Sequence, residues 1–230
     1  METLFNGYTL EIPKGAFPLS TDSMVLAHFV RLPKNARVLD LGSGCGTLGI
    51  LLCARDSRCT VTGVELTERS HQAALENISR NALQTRMESI CADLAEIPKM
   101  ISPGSFPCCV SNPPYYTGCP TSSKTPLARQ GNGCTPEVLL QSAAWALKYG
   151  GDFFLVHKPE RLGEILGLAP KFHLEAKRLA LVRHRADSGV DLILLQLRKG
   201  AKPGLIWEDL ILYDENGTPT REYREIYHIL

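Results

Sequence analysis

The sequence predicts an α/β protein built on a doubly wound, mainly parallel sheet. Three observations predict it. Short apolar runs alternate with amphipathic stretches through most of the 230 residues, as strands joined by crossover helices must. The run Val38 to Leu41 ends at Gly42-Ser43-Gly44-Cys45-Gly46, a turn whose glycines admit positive φ and let a ligand approach the main chain. A later run, Phe106 to Val110, ends at Ser111-Asn112-Pro113-Pro114-Tyr115-Tyr116. Proline has no N–H for a central ladder and clashes inside a helix, so the chain must leave the sheet there in a stiff, extended turn. An amide, two carbonyls and an aromatic ring are thereby presented at the carboxyl end of a strand, the edge where open α/β sheets bind ligands.

Taken in order, residues 1–20 are punctuated by glycine and proline and read as an irregular or β-like arm. Thr21-Asp22-Ser23 precedes the apolar run Met24 to Val30 and suits a capped short helix, closed by Pro33-Lys34-Asn35. Val38 to Leu41 is the first buried strand, and Thr47 to Arg55 carries the apolar load of a buried helix. Cys59 to Val64 is a second strand, ending in Glu65, and Glu68 to Leu83 an amphipathic helix. Met87 to Cys91 leads to Ala92-Asp93, and Phe106 to Val110 is the fourth strand.

Thr117 to Thr135 is rich in Gly, Ser, Thr and Pro and lacks periodicity; loops of that length are usually functional. Pro136 stands where a helix would begin, and Glu137 to Lys148 has helical periodicity, stopped by Gly150-Gly151. Asp152 to His157 is a fifth strand and Glu160 to Leu168 a helix ended by Pro170. Phe172 to Val182 and Val190 to Leu197 are two more strands, joined by the basic turn Arg183-His184-Arg185. A strand over Leu205 to Leu212 and a helix over Thr220 to His228 follow. The expected organisation is one domain: an arm and helix over 1–36, a core over 37–200 and a strand and helix over 201–230.

Composition narrows the class of function. The 25 basic and 24 acidic residues nearly cancel, so a polyanion would have to be met by a local patch. None of the eight cysteines forms a Cys-x-x-Cys pair and several lie in apolar runs, which argues against zinc or a disulfide framework and for a reducing compartment. The histidines show no metal-ligand spacing. Met1 to Lys14 does not read as a signal peptide, and no apolar stretch is long enough to span a bilayer. The expectation is a soluble, cytoplasmic protein without a metal or a membrane partner.

The chemistry is concentrated in four places. Glu65 follows the glycine loop by about the 20 residues at which an acid meets ribose hydroxyls. Gly44-Cys45-Gly46-Thr47-Leu48-Gly49 also satisfies the dinucleotide pattern, so the loop alone does not separate a nicotinamide cofactor from another nucleoside. Asp40 ahead of the first glycine, Asp93 after the third strand and Asn112-Pro113-Pro114-Tyr115 after the fourth favour the latter. Asp93 by itself fits a simple helix cap equally well.

In this order the motifs resemble the class I S-adenosylmethionine-dependent methyltransferases, specifically their amino-methylating branch, from about Thr21 to Arg161. The finer resemblance is to the bacterial tRNA(Val) adenine-N6-methyltransferases. Phe17-Pro18-Leu19-Ser20-Thr21-Asp22 ahead of Val25-Leu26-Ala27, the doubled Tyr115-Tyr116, Leu127-Ala128-Arg129 and a helix with Tyr223 to Tyr227 carry it. The resemblance implies a Rossmann-like, seven-stranded, mainly parallel sheet with a strand and helix added after it. It implies S-adenosylmethionine as cofactor, held by Thr21, Asp40, Gly42, Gly44, Gly46, Glu65, Asp93 and Asn112, and tRNA as substrate. Asn112 and Pro113 would accept from the adenine amine, and Tyr115 would stack on the base; Tyr116 would stack or merely pack. Lys124, Arg129, Arg183 and Arg185, with Lys158, Arg161 and His184, would meet the phosphates. A protein glutamine amide fits the same Asn-Pro-Pro-Tyr, but such enzymes ordinarily carry an extra helical domain, and about 36 residues precede the first strand here. A nicotinamide oxidoreductase leaves Asn112 without a role, and a silent RNA-binding module leaves the cofactor motifs unexplained.

Overall fold

A computed structural model describes residues 2–13, 19–115 and 134–229. The strands are β1 (Glu2–Thr3), β2 (Thr9–Leu10), β3 (Arg37–Leu41), β4 (Thr60–Glu65), β5 (Met87–Cys91), β6 (Phe106–Ser111), β7 (Leu147–His157), β8 (Leu174–Arg183), β9 (Val190–Lys199) and β10 (Ile206–Ile211). The helices are α1 (Thr21–Phe29), α2 (Thr47–Arg55), α3 (Glu68–Arg80), α4 (Ile97–Met100), α5 (Pro136–Ala146), α6 (Leu162–Leu168) and α7 (Arg221–Tyr227).

Eight strands form one sheet in the order β10-β8-β9-β7-β6-β3-β4-β5. All pair in parallel except β9, which runs against both β7 and β8. Seven of them, β3 to β9, are the predicted sheet, and β10 adds the predicted extra strand beside β8. The short apolar runs become strands because both faces are covered, so β3 and β6 are apolar almost without alternation. One apolar layer holds Val38, Cys108, Val110 and Phe154 against α1 to α3, and the other holds Leu39, Cys109, Phe153 and Leu155 against α5 and α6.

From β3 the chain winds outward through β4 to β5, then returns to place β6 on the other side of β3. The order reverses between β3 and β6, and the crevice outside their carboxyl ends is where such sheets bind ligands. Leu41, at the end of one strand, and Ser111, at the end of the other, are joined there by a bond from Ser111 Oγ to the Leu41 carbonyl of 2.6 Å.

Several boundaries differ from those the sequence predicts. Helix α5 ends at Ala146, not Lys148, and β7 begins at Leu147, ahead of Gly150-Gly151. Phe106 pairs with Leu147 but Cys108 pairs with Asp152, so residues 148–151 bulge out of the ladder. Gly150 takes the positive φ of that bulge, and a Cβ on Gly151 would come within 2.9 Å of the Lys148 carbonyl. These glycines shape a strand rather than stop a helix. A turn over Leu94 to Glu96 and the single turn α4 fill the gap before β6, which sequence periodicity leaves blank. Helix α1 already begins at Thr21, so Asp22 and Ser23 lie in its first turn instead of capping it. Among the described residues no helix is long and apolar enough to cross a membrane.

Candidate active site

The glycine loop is tied down from below and open above. Gly42, Gly44 and Gly46 have φ of 76°, 56° and 85°, which other residues adopt only with strain. The Gly42 and Ser43 N–H groups donate to the Val64 carbonyl at 2.9 and 3.1 Å, and the Gly44 N–H donates to Glu65 Oε2 at 2.9 Å. A Cβ added at Gly42 or Gly44 would meet no atom of the described residues within 4 Å, so among them the outer face of the loop is open to a ligand. Glu65 is held from its other oxygen by the Thr67 N–H and hydroxyl, at 2.9 and 2.8 Å. A carboxylate has about four lone-pair sites, so with these three bonds accepted, capacity remains for one further donor such as a hydroxyl.

The loop sits directly on Gly63 of β4. A Cβ there would lie 2.7 Å from Ser43 Oγ and 2.9 Å from its Cβ, a short side chain with little room to yield. Gly63→Ala is expected to destabilise the protein by roughly 1–3 kcal/mol through overpacking and to weaken cofactor binding by lifting the loop. Thermal melts and calorimetric titration check this; wild-type behaviour in both would mean that the loop tolerates the shift.

Asp40 pairs with Gly63 on one side and Val110 on the other, and is 1% exposed. Its Oδ2 is buried and has no hydrogen-bond partner among the described residues. Burial, reinforced by the negative charge of Glu65, pushes its carboxyl up to about 7 against the opposing pull of the Gly49 N–H. An orphaned buried carboxylate beside an open glycine cradle suits a ligand that brings donors or positive charge. With the folded value raised, the native state holds the proton more tightly than the unfolded chain from about pH 4 to 7. The ligand-free protein should therefore lose stability as pH rises through that window. Asp40→Asn should flatten the slope, and melting temperatures across pH 4–8 measure it.

Asn112 and Tyr115 leave the end of β6 toward α1. Asn112 Nδ2 donates to Ser23 Oγ at 3.0 Å, and the Tyr115 hydroxyl donates to Asp22 Oδ2 while lying 3.4 Å from Asn112 Oδ1. The Tyr115 ring centroid is 5.2 Å from that of His157, with Lys158 Nζ 5.4 Å from it. Burial and the Asp22 bond push the Tyr115 hydroxyl well above its ordinary range, so it keeps its proton. Burial and the Arg161 charge bring His157 down to about 4, and its Nδ1 accepts the Lys158 N–H at 2.8 Å. That imidazole is neutral at physiological pH. Behind the turn, Pro113, Pro114, Leu139, Leu155 and His157 line a small cavity.

The switch point thus gathers Asp40, the three glycines, Glu65, Asn112, Pro113 and Tyr115. Thr21 starts the helix beside them and accepts from the Tyr227 hydroxyl at 3.1 Å. Asp93, beyond β5, caps the following turn through the Ala95 N–H at 2.9 Å. Arg183 ends β8 and Arg185 lies just past it, on the same rim of the sheet, but each faces an acid, Asp209 at 3.4 Å and Asp187 at 3.6 Å. Contacting rings run back from that turn, His184 and Tyr213 tilted at 4.6 Å, Tyr213 and Tyr223 tilted at 5.0 Å, and Tyr223 stacked on Tyr227 at 4.3 Å. Phe17, Pro18, Tyr116, Lys124 and Arg129 lie outside the described residues. Sequence reasoning missed Gly63, which carries no motif, and gave Asp22 and Ser23 only a capping role.

Comparison with known proteins fits this geometry. The sequence profile of the methyltransferase small domain family matches residues 19–173. The chain belongs to that family. It is a class I methyltransferase that uses S-adenosylmethionine. A Bacteroides thetaiotaomicron protein named tRNA1(Val) (adenine(37)-N6)-methyltransferase is 27% identical over 96% of this methyltransferase and 93% of the relative. A Bacteroides fragilis protein of the same name is 31% identical over 66% of this chain and 65% of its own. In fold, this methyltransferase resembles the crystal structure of a predicted O-methyltransferase from Agrobacterium tumefaciens, with a TM-score of 0.76 at 21% identity, covering 90% of this chain and 96% of the other. S-adenosylmethionine supplies an electrophilic methyl on a positively charged sulfur. The orphaned Asp40 oxygen, the open Gly42 and Gly44 faces and the fixed Glu65 carboxylate suit its charge and its ribose.

Proposed function

We propose that this methyltransferase places the methyl on the exocyclic N6 amine of an adenine in tRNA, in the anticodon loop of tRNA(Val). The observation that carries the reading is Asn112-Pro113-Pro114-Tyr115 at the end of β6, across the switch point from the Asp40 and Glu65 strands. The printed names of the Bacteroides relatives support the choice of substrate. An adenine amine is a poor nucleophile because its lone pair is conjugated with the ring. Acceptance of its two N–H bonds by Asn112 Oδ1 and the Pro113 carbonyl would turn that lone pair toward the methyl. Alignment rather than a strong base would then do most of the work. The neutral, occupied His157 accords with this.

Tyr115 would contribute its ring face to the base, an interaction of about 1–3 kcal/mol in nucleic-acid complexes. The base must be unstacked to enter, which a single-stranded loop allows cheaply. Arg183, His184 and Arg185, with Lys158 and Arg161, share the rim where the RNA backbone would lie, in a cytoplasmic setting. The deciding experiment supplies labelled S-adenosylmethionine with total tRNA and, separately, with release factors. Methyl-adenosine in one tRNA after nucleoside digestion is the expected result. Label on a protein glutamine alone would overturn the substrate and keep the fold.

A further inference from the structure

We infer that Asp22 and Ser23, on the first turn of α1, are positioning residues that keep the Asn112 amide oxygen open to the incoming amine. This rests on the reading of Asn112 as the acceptor for that amine. A side-chain amide has two unlike ends, and only its oxygen can accept from a nitrogen that itself donates. Ser23, 5% exposed, takes the Nδ2 end at 3.0 Å. Among the described residues the oxygen end has one competitor, the Tyr115 hydroxyl, whose bond to it is long at 3.4 Å.

That competitor is drawn off. In the bond between Tyr115 and Asp22 Oδ2 the hydroxyl is the donor, which commits its one proton to Asp22. Without Asp22 the other acceptor that the hydroxyl meets among the described residues is Asn112 Oδ1, the atom the substrate needs. Tyr115 is in this view a ring that the reaction uses, carrying a hydroxyl that must be kept turned away. His157 does not take the proton, because its one free acceptor nitrogen already accepts the Lys158 N–H. The two residues of α1 thus act through Asn112 and touch no reacting atom.

The test is a double-mutant cycle read by rate and by spectrum. Asp22→Ala should lower kcat about tenfold to a hundredfold, the scale of a misplaced reacting group, with KM for S-adenosylmethionine little changed. Adding Tyr115→Phe removes the competing proton, so the double variant should turn over as fast as Tyr115→Phe alone, a strongly non-additive result. A merely structural role for Asp22 predicts instead that the double variant is the slowest of the three. Ser23→Ala should lower kcat about tenfold in protein that melts as a folded domain; wild-type kcat would remove Ser23 from the proposal. Independently of any acceptor substrate, the side-chain carbonyl carbon of Asn112 should shift in Asp22→Ala and return in the double variant. A resonance that stays put in Asp22→Ala overturns the proposal. Asn112→Ala is run alongside on total tRNA: if it keeps turnover, the reading of Asn112 fails, whereas its inactivity with no rescue of Asp22→Ala fails the proposal alone.

Discussion

Asn112→Ala should lower turnover by about a thousandfold while S-adenosylmethionine still binds. Removing one preorganised hydrogen-bonding group that acts on the reacting centre typically has an effect of about 10²–10³-fold on kcat. Asn112 has a further role, because it presents both the amide and, through the fixed chain that follows, the Pro113 carbonyl. Cofactor binding should survive because its main supports stand on other strands. The glycine loop is strapped to Val64 and Glu65, and Asp40 is buried between Gly63 and Val110. Initial rates with labelled methyl donor and calorimetric titration of the same preparation separate the two effects. Unchanged turnover would sink the mechanism; lost cofactor affinity would move Asn112 into the cofactor's own contacts.

Glu65→Ala should do the reverse, weakening S-adenosylmethionine binding by roughly 30- to 100-fold, about 2–3 kcal/mol, as expected for losing hydrogen bonds to a charged acceptor. The carboxylate is asked to do two things at once. It anchors the Gly44 N–H and Thr67 just beyond β4, and it offers its remaining lone pair to a hydroxyl. Its charge also helps to raise Asp40. The alanine variant should therefore lower the pH window of the Asp40 effect as well as the affinity. Glu65→Gln, which keeps an acceptor without the charge, should recover part of the binding and still lower that window. Wild-type affinity in Glu65→Ala would mean that the cofactor does not lie over this strand end.

The parts of the site that were legible in the sequence are those made by residues with strong local chemistry. Glycines that must take positive φ and prolines that must end a strand declare themselves within a few positions, and so Gly42 to Gly46 and Asn112 to Tyr115 were readable. The order of the strands was not. Nothing local tells Val190 to Lys199 to insert between β7 and β8, since that depends on which edges remain unpaired. Gly150-Gly151 was misread because a bulge and a helix stop ask the same thing of a glycine. Asp22 and Ser23 looked like caps because Ser, Thr and Asp do cap helices. Their partners, Tyr115 and Asn112, lie some ninety positions away and carry no pattern that links the two segments.

The bond between Tyr227 and Thr21 has a consequence for how the molecule is made. It joins groups 206 positions apart, and α7 meets α1 through it. While the chain emerges from the ribosome, β3 to β7 can pair as each strand is delivered, but Thr21 gains its Tyr227 partner only after those strands have been made. Contacts of such long sequence separation form late and slowly. A nascent chain arrested before residue 227 would therefore carry the sheet with Asp22 and Ser23 already tied to Tyr115 and Asn112, but with Thr21 lacking its bond to Tyr227. The tie at Thr21 would then close onto a scaffold that is already in place.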